Sequence, residues 1–288
     1  MDSVREALGA AVRNAVVGPD AGRRHAELID GVGDRWFPER SPIHVVHADS
    51  SMFVGGLRAL LFQSLHPLAM AGVAQHSDYR ADPWGRLQRT ADFLAATTFG
   101  PAVESERAVA RVRAVHRRVT GVASDGRTYS ANDPHLLAWV HLAEIDSFIT
   151  AHSRYGARPL DAAGYDTYVA QTARVAEALG VVAPPMNQRE LAVQLRRYRP
   201  ELRGTPEARQ AAQYLLFRPP MPLAVRPFYG ALSAAAISMM PAWTRWPLRL
   251  PWLPLSEAVV ARPLGEAMTR TIRWALRPAA RPEQHSER

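Results

Sequence analysis

Apolar residues recur at spacings of three and four along most of the chain. Leu57, Leu60, Leu61, Leu65 and Leu68 form one such run, and Leu136, Leu137, Val140, Ile145 and Phe148 form another. That period gathers apolar side chains on one face of an α-helix. It predicts helices near 2–17, 20–31, 52–76, 84–98, 102–120, 134–154, 162–179, 187–198, 206–217, 228–240 and 256–276. Boundary signals agree: Asp133 before Pro134 pairs an N-cap with the residue best suited to the first helical position, and Gly121, Gly156 and Gly180 stand where C-terminal caps are expected. Asp125-Gly126, between Val122 and Tyr129, predicts one short β-hairpin. There is no βαβ rhythm and no internal repeat, so the predicted fold class is all-α.

Composition narrows the chemistry. The chain has 288 residues, 47 % of them apolar, enough for a substantial core. All 35 cationic residues are Arg, and there is no Lys and no Cys. This excludes Schiff-base chemistry, a phosphate-loop lysine, thiolate nucleophiles, cysteine-ligated zinc and iron–sulfur clusters. Histidine, carboxylates, hydroxyls and guanidinium remain. The net charge of +8 is uneven, since residues 218–288 hold ten Arg against four Glu, together with 11 of the 23 Pro and four of the seven Trp. The chain divides accordingly into an N-terminal helical extension (1–50), a core (51–230) and a C-terminal appendage packed on it (231–288).

Within the appendage, residues 243–255 interleave Arg with Trp and Pro. They read either as a strap over the body or as a peripheral contact with anionic lipid, Trp lying at headgroup level and Arg pairing with phosphate. Residues 1–17 carry charges among their apolar positions and predict an amphipathic helix instead of an apolar leader. The longest uncharged stretches, 59–77 and 227–244, are too polar or too proline-interrupted to span a bilayer. The expected location is cytoplasmic or membrane-peripheral. A basic chain also admits a helical DNA-binding regulator, but the charge does not gather on a recognition helix, so no nucleic-acid partner is expected.

The densest chemical segment is 66–116. Leu65-His66-Pro67 must kink or end a helix, and His66 either lines a cavity there or caps the kink. Arg86, Arg89, Thr90 and Phe93 share one face of the next helix. A break at Phe99-Gly100-Pro101 leads into a second helix whose expected core stripe is Val109, Val112, Val115 and Val119, with Arg113 and His116 beside it. At 1.5 Å per residue, Arg86 lies about 20 Å and His116 about 24 Å from the turn, at similar height on facing helices. A metal-centred, flat apolar ligand with two anionic groups needs guanidiniums at its rim and an imidazole beneath. On the helix after Asp133, His141 and Glu144 are three apart, but no Glu-x-x-His pair or His-Glu-x-x-His motif supports a di-iron or zincin site. His141 reads as a buried histidine bonded to a neighbour, or as a residue beside a cofactor. Asp146 reads as a partner for an arginine.

Residues from about 50 to 230 resemble the oxygenase family that includes the latex-clearing rubber oxygenases and the membrane-associated oxygenase of mycophenolic acid biosynthesis. The resemblance rests on His66-Pro67, the stretch 75–80, Asp82-Pro83, Arg86-x-x-Arg89-Thr90, Phe99-Gly100, Arg113-x-x-His116, and Asp133-Pro134 through Trp139-Val140-His141 to Asp146-Ser147. It implies a globin-like helical core, with further helices at both ends, holding haem b. It implies His116 as the proximal iron ligand, Arg113 beside it, and Arg86, Arg89 and Thr90 on the distal, catalytic face; Arg113 and Arg86 are also expected to bind the cofactor at its rim, and His141 is the further cofactor-binding candidate read from its helix. Arg89 stands where the rubber oxygenases carry lysine, and a guanidinium donates hydrogen bonds where a neutral amine would ligate. Arg89 is therefore expected to donate to dioxygen or to a propionate. Thr120-Gly121 replaces the Arg-His pair that follows the proximal histidine in those enzymes. The implied activity is oxygenation of an apolar, isoprenoid or lipid-like unsaturated substrate by dioxygen. The same pocket would also serve a haem carrier or sensor.

Overall fold

The computed structural model describes residues 5–6, 9–10, 31–77, 82–218, 221 and 223–277. The helices expected over 2–17 and 20–31 fall largely outside the described residues, as do 78–81 in the middle of the motif-rich segment. The elements in chain order are α1 Pro42–His47, α2 Met52–Gln63, α3 Pro67–His76, α4 Pro83–Phe99, α5 Ala102–His116, β1 Thr120–Val122, β2 Thr128–Ser130, α6 Pro134–Tyr155, α7 Ala162–Leu179, α8 Gln188–Tyr198, α9 Pro206–Phe217, α10 Arg226–Ser238, α11 Ala242–Leu248, α12 Pro254–Ser256 and α13 Arg262–Leu276. The fold is all-α with one two-stranded antiparallel ribbon, in which Gly121 pairs with Tyr129.

Proline and short polar residues set the helix starts. Asp82, Asp133, Asp161, Asn187 and Thr205 each accept a backbone N–H in the first turn of the helix they open. The long run expected over 52–76 is divided as Pro67 requires. α2 stops at Gln63, His66 takes an extended conformation, and its side chain caps α3. Gly180 closes α7 in the left-handed region at φ 112°, as expected of a C-cap. Gly121 instead lies inside β1, because the hairpin begins immediately after the helix that the pattern extended to 120.

α6 runs through the centre with α2 along it. Gly55 permits this approach: a Cβ there would lie 3.0 Å from the Phe148 ring and 3.2 Å from the Ala151 methyl. Arg58, 2 % exposed, crosses the same seam. It is saturated by Asp146 at 2.8 Å, Ser147 Oγ at 2.6 Å and the Met239 carbonyl at 3.0 Å, so a buried guanidinium carries its own counter-charge. One continuous apolar core extends from Trp36 to Leu250 and takes in both the segment before α1 and the α10–α11 region. At the far end α13 packs on α10, where Gly265 abuts Ala235, and Arg273 forks onto Asp49 at 3.0–3.2 Å.

Candidate functional site

The α4–α5 hairpin is held less tightly than the α2–α6 pair. α4 packs on α5 and on α1, and α5 packs on α7. Arg86, Thr90, Phe93 and Thr97 share one face of α4, and from Thr90 onward cover increases toward the turn. Thr90 is exposed, Phe93 is half-buried against the core, and Thr97 is 1 % exposed. The hairpin is thus closed at its turn and open at its other end, where α5 finishes at His116.

On α5 the inward residues are Ser105, Ala108, Val109, Val112 and His116. Val115, expected in the core stripe, is 56 % exposed. His116 continues the inward spacing 105, 109, 112, 116, whereas 115 falls on the flank of that face and is uncovered. Among the described residues His116 Nδ1 has no hydrogen-bond partner, and it is fully buried. Burial lowers its pKa and favours the neutral imidazole, the form that ligates metal.

α6 carries His141 and Glu144 one turn apart, and each is half-buried. His141 Nε2 is buried without a partner, contrary to the bonded neighbour expected for it. Burial holds the ring neutral, with its pKa lowered to about 4. Burial pushes the Glu144 carboxyl up to about 7, and no hydrogen bond or ion pair joins it to the other described residues. Burial also raises the neighbouring Tyr168 phenol. Tyr168 Oη lies 3.0 Å from His47 Nε2, and His47 Nδ1 lies 2.8 Å from Thr98 Oγ1. This polar chain joins α7, α1 and α4, and burial lowers the His47 pKa to about 3. Neither Glu144 nor this chain stands out in sequence beyond one carboxylate interrupting the apolar run Leu142, Ala143, Ile145.

The other anticipated residues lie nearer solvent. Arg86 is half-buried and donates to Ser77 Oγ at 2.7 Å. Arg89 is exposed and paired with Asp82 at 3.1 Å, and Thr90 donates to the Arg86 carbonyl at 3.0 Å. Arg113 is exposed and reaches the Ala178 carbonyl at 3.3 Å. The structure therefore brings His116 and His141 to the inside and leaves Arg89, Thr90 and Arg113 outside it. Asp146 is the arginine partner expected, through Arg58. At the tail, Trp243 faces inward, its ring 6.1 Å from Phe62 and beneath Arg199, whereas Trp246 and Trp252 are 89 % and 63 % exposed.

The body is all-α, and His116 and His141 each keep a buried ring nitrogen without a partner among the described residues. The family described as ER-bound oxygenase mpaB/B'/Rubber oxygenase, catalytic domain, matches residues 44–274, and the chain belongs to that family. The chain is also 35 % identical, over 102 residues, to uncharacterized proteins of Mycobacterium bovis and Mycobacterium tuberculosis. That alignment covers 34 % of this chain and 38 % of each relative. No solved structure matches.

Proposed function

We propose that the chain is a haem-b-dependent oxygenase acting on an apolar, unsaturated substrate of isoprenoid or lipid-like character. The observation that carries the reading is His116: an imidazole whose buried Nδ1 has no partner among the described residues, on the inner face of α5 at the open end of the hairpin. A buried ring nitrogen without a partner costs about 1–3 kcal/mol, a penalty that a bound metal removes. In this reading the ligand hollow is also lined by His141 and Glu144 of α6, each half-buried.

In this reading His116 is the protein ligand to the haem, and the haem supplies the electron chemistry on dioxygen. The chain's own residues then divide the remaining work. His141, neutral and with its buried Nε2 unpartnered among the described residues, orients a polar group inside the hollow. Glu144, with its carboxyl near half-protonation at neutral pH, holds or yields a proton at a carboxyl oxygen, a setting suited to general acid–base work. Phe93, Leu94 and Val140 supply apolar lining that excludes water. Arg86, Arg89 and Arg113 form a cationic rim suited to propionates. Each would have to exchange a present partner for that role.

The substrate class draws support from the exposed tail, where Trp246, Trp252, Leu253 and Leu255 lie beside Arg249. Residues 243–255 are suited to resting on an anionic lipid surface and taking a substrate from it. No helix among the described residues is long and apolar enough to cross a membrane. The test is aerobic incubation of the haem-loaded full chain with an unsaturated isoprenoid under ¹⁸O₂, followed by mass spectrometry. Labelled oxygen in the product is expected. Haem bound with every substrate unchanged would identify a carrier or sensor.

A further inference from the structure

We propose that His66, His135 and Glu201 form a binding site for a divalent first-row cation of the Zn²⁺ kind. The three residues come from the cap of α3, the first turn of α6 and the single 3₁₀ turn 199–201 after α8. One donor atom from each lies within 4.8 Å of the others. His66 Nε2 is 3.4 Å from Glu201 Oε2, and His135 Nε2 is 2.8 Å from that same oxygen. Around a tetrahedral zinc with bonds of about 2.1 Å, neighbouring donors stand about 3.4 Å apart. His66 and Glu201 already have that separation, and His135 reaches it by withdrawing roughly half an ångström. His135 has room to do so, since its side chain is half-exposed.

Hydrogen counting favours a cation. Tyr198 Oη lies 2.8 Å from the His135 carbonyl and 3.1 Å from His135 Nδ1. The single phenolic hydrogen serves the carbonyl, so Nδ1 must be the donor to Oη. In a neutral ring Nε2 then carries a bare lone pair, and that lone pair faces both oxygens of a carboxylate. A cation between them satisfies all three groups at once: Nε2 and the carboxylate ligate it, Nδ1–H donates to Tyr198, and Tyr198 donates to the carbonyl. A ligating histidine whose other N–H is held by an outer partner is the usual arrangement at protein metal sites. Tyr198 also stacks on the ring, 4.5 Å between centroids, and fixes its plane. His66 is the looser ligand, because its Nδ1 accepts a long bond of 3.4 Å from Ala69 N–H that must open on metal binding. Arg127 lies close enough to act on Glu201, but it is committed to Asp125 at 2.7–2.9 Å. Two imidazoles and one carboxylate leave a coordination position for water on the exposed side.

The experiment uses the full chain stripped with a chelator and titrated with Zn²⁺ against a chromophoric competitor, with thermal unfolding recorded alongside. One equivalent is expected to bind and to raise the midpoint. His135→Ala and Glu201→Gln, both at partly exposed positions that the fold tolerates, should each weaken binding about 100-fold and abolish the rise. Tyr198→Phe, which removes both hydrogen bonds of Tyr198 Oη to His135 and leaves the ligands in place, should weaken it roughly tenfold. Absence of binding, or one equivalent retained with unchanged affinity in both ligand variants, overturns the site and leaves the cluster as a hydrogen-bonded clasp between α3, α6 and the 199–201 turn.

Discussion

The α2–α6 pair and the α4–α5 hairpin arise from the same three-and-four periodicity, and the structure treats them in opposite ways. In the first, Gly55 removes a side chain so that the helices touch, and the one charge in the seam, Arg58, is saturated by Asp146, Ser147 and Met239. In the second, cover falls away toward the open end and His116 Nδ1 is left without a partner among the described residues. A packed interface spends its polar groups on one another, whereas a site withholds them for a guest. The contrast separates stability from function along one chain.

Breaking the packed seam should give the largest effect. Arg58→Ala leaves Asp146 and the Met239 carbonyl without their donor, and chemical denaturation should show a loss of about 3–5 kcal/mol. A change comparable to that of an exposed arginine would mean that the seam is not closed.

Glu144 sharpens the other half of the comparison through pH. Its carboxyl is raised from an ordinary 4.5 to about 7. Below pH 4.5 both folded and unfolded chains carry the neutral acid. As pH rises toward 7 the unfolded chain ionises first, so this group's contribution to stability is progressively lost and costs about 3 kcal/mol above pH 7. Glu144→Gln cannot ionise. It should therefore stabilise the protein by that amount at pH 8 and by almost nothing at pH 4, read as unfolding midpoints at the two values. His141 and His47 act in the opposite sense, losing stability as pH falls from 6.5 toward about 4 and about 3, but the mutant-minus-wild-type difference cancels them. An equal gain at both pH values would place Glu144 in water instead of a buried position.

Gly55→Ala is intermediate. A methyl 3.0–3.3 Å from Phe148, Ala151 and the Ser147 carbonyl forces the helices apart, and the better helix propensity offsets part of that, leaving a loss of about 1 kcal/mol in unfolding free energy. Arg89→Ala should be the smallest, under about 0.5 kcal/mol, because its pair with Asp82 is exposed. A large loss there would mean that the open end of the hairpin is tied down.

The periodic helices, the Asp133-Pro134 start and the Asp125-Gly126 hairpin were legible because each is specified by neighbours in sequence. α1 and α11 were not, being short and bounded by prolines that read as loop. Val115 was expected in the core stripe and is exposed, because an all-valine stripe looks apolar whichever way the helix turns and only contact with α7 fixes the rotation. His116 and His141 came from the motif resemblance. Glu144 was set aside as a metal ligand because no Glu-x-x-His or His-Glu-x-x-His motif accompanies it, and its burial is a tertiary fact. The His66–His135–Glu201 cluster joins positions nearly seventy residues apart twice over, which no local pattern reveals.

The most direct measurement of the central claim is the absorption spectrum of the purified full chain with haemin, beside that of His116→Ala. The account predicts a Soret band characteristic of a histidine-ligated haem in the first, and loss of that band in the second with helical circular dichroism unchanged. A wild-type chain that takes up no haemin, or a His116→Ala variant with the wild-type spectrum, contradicts it.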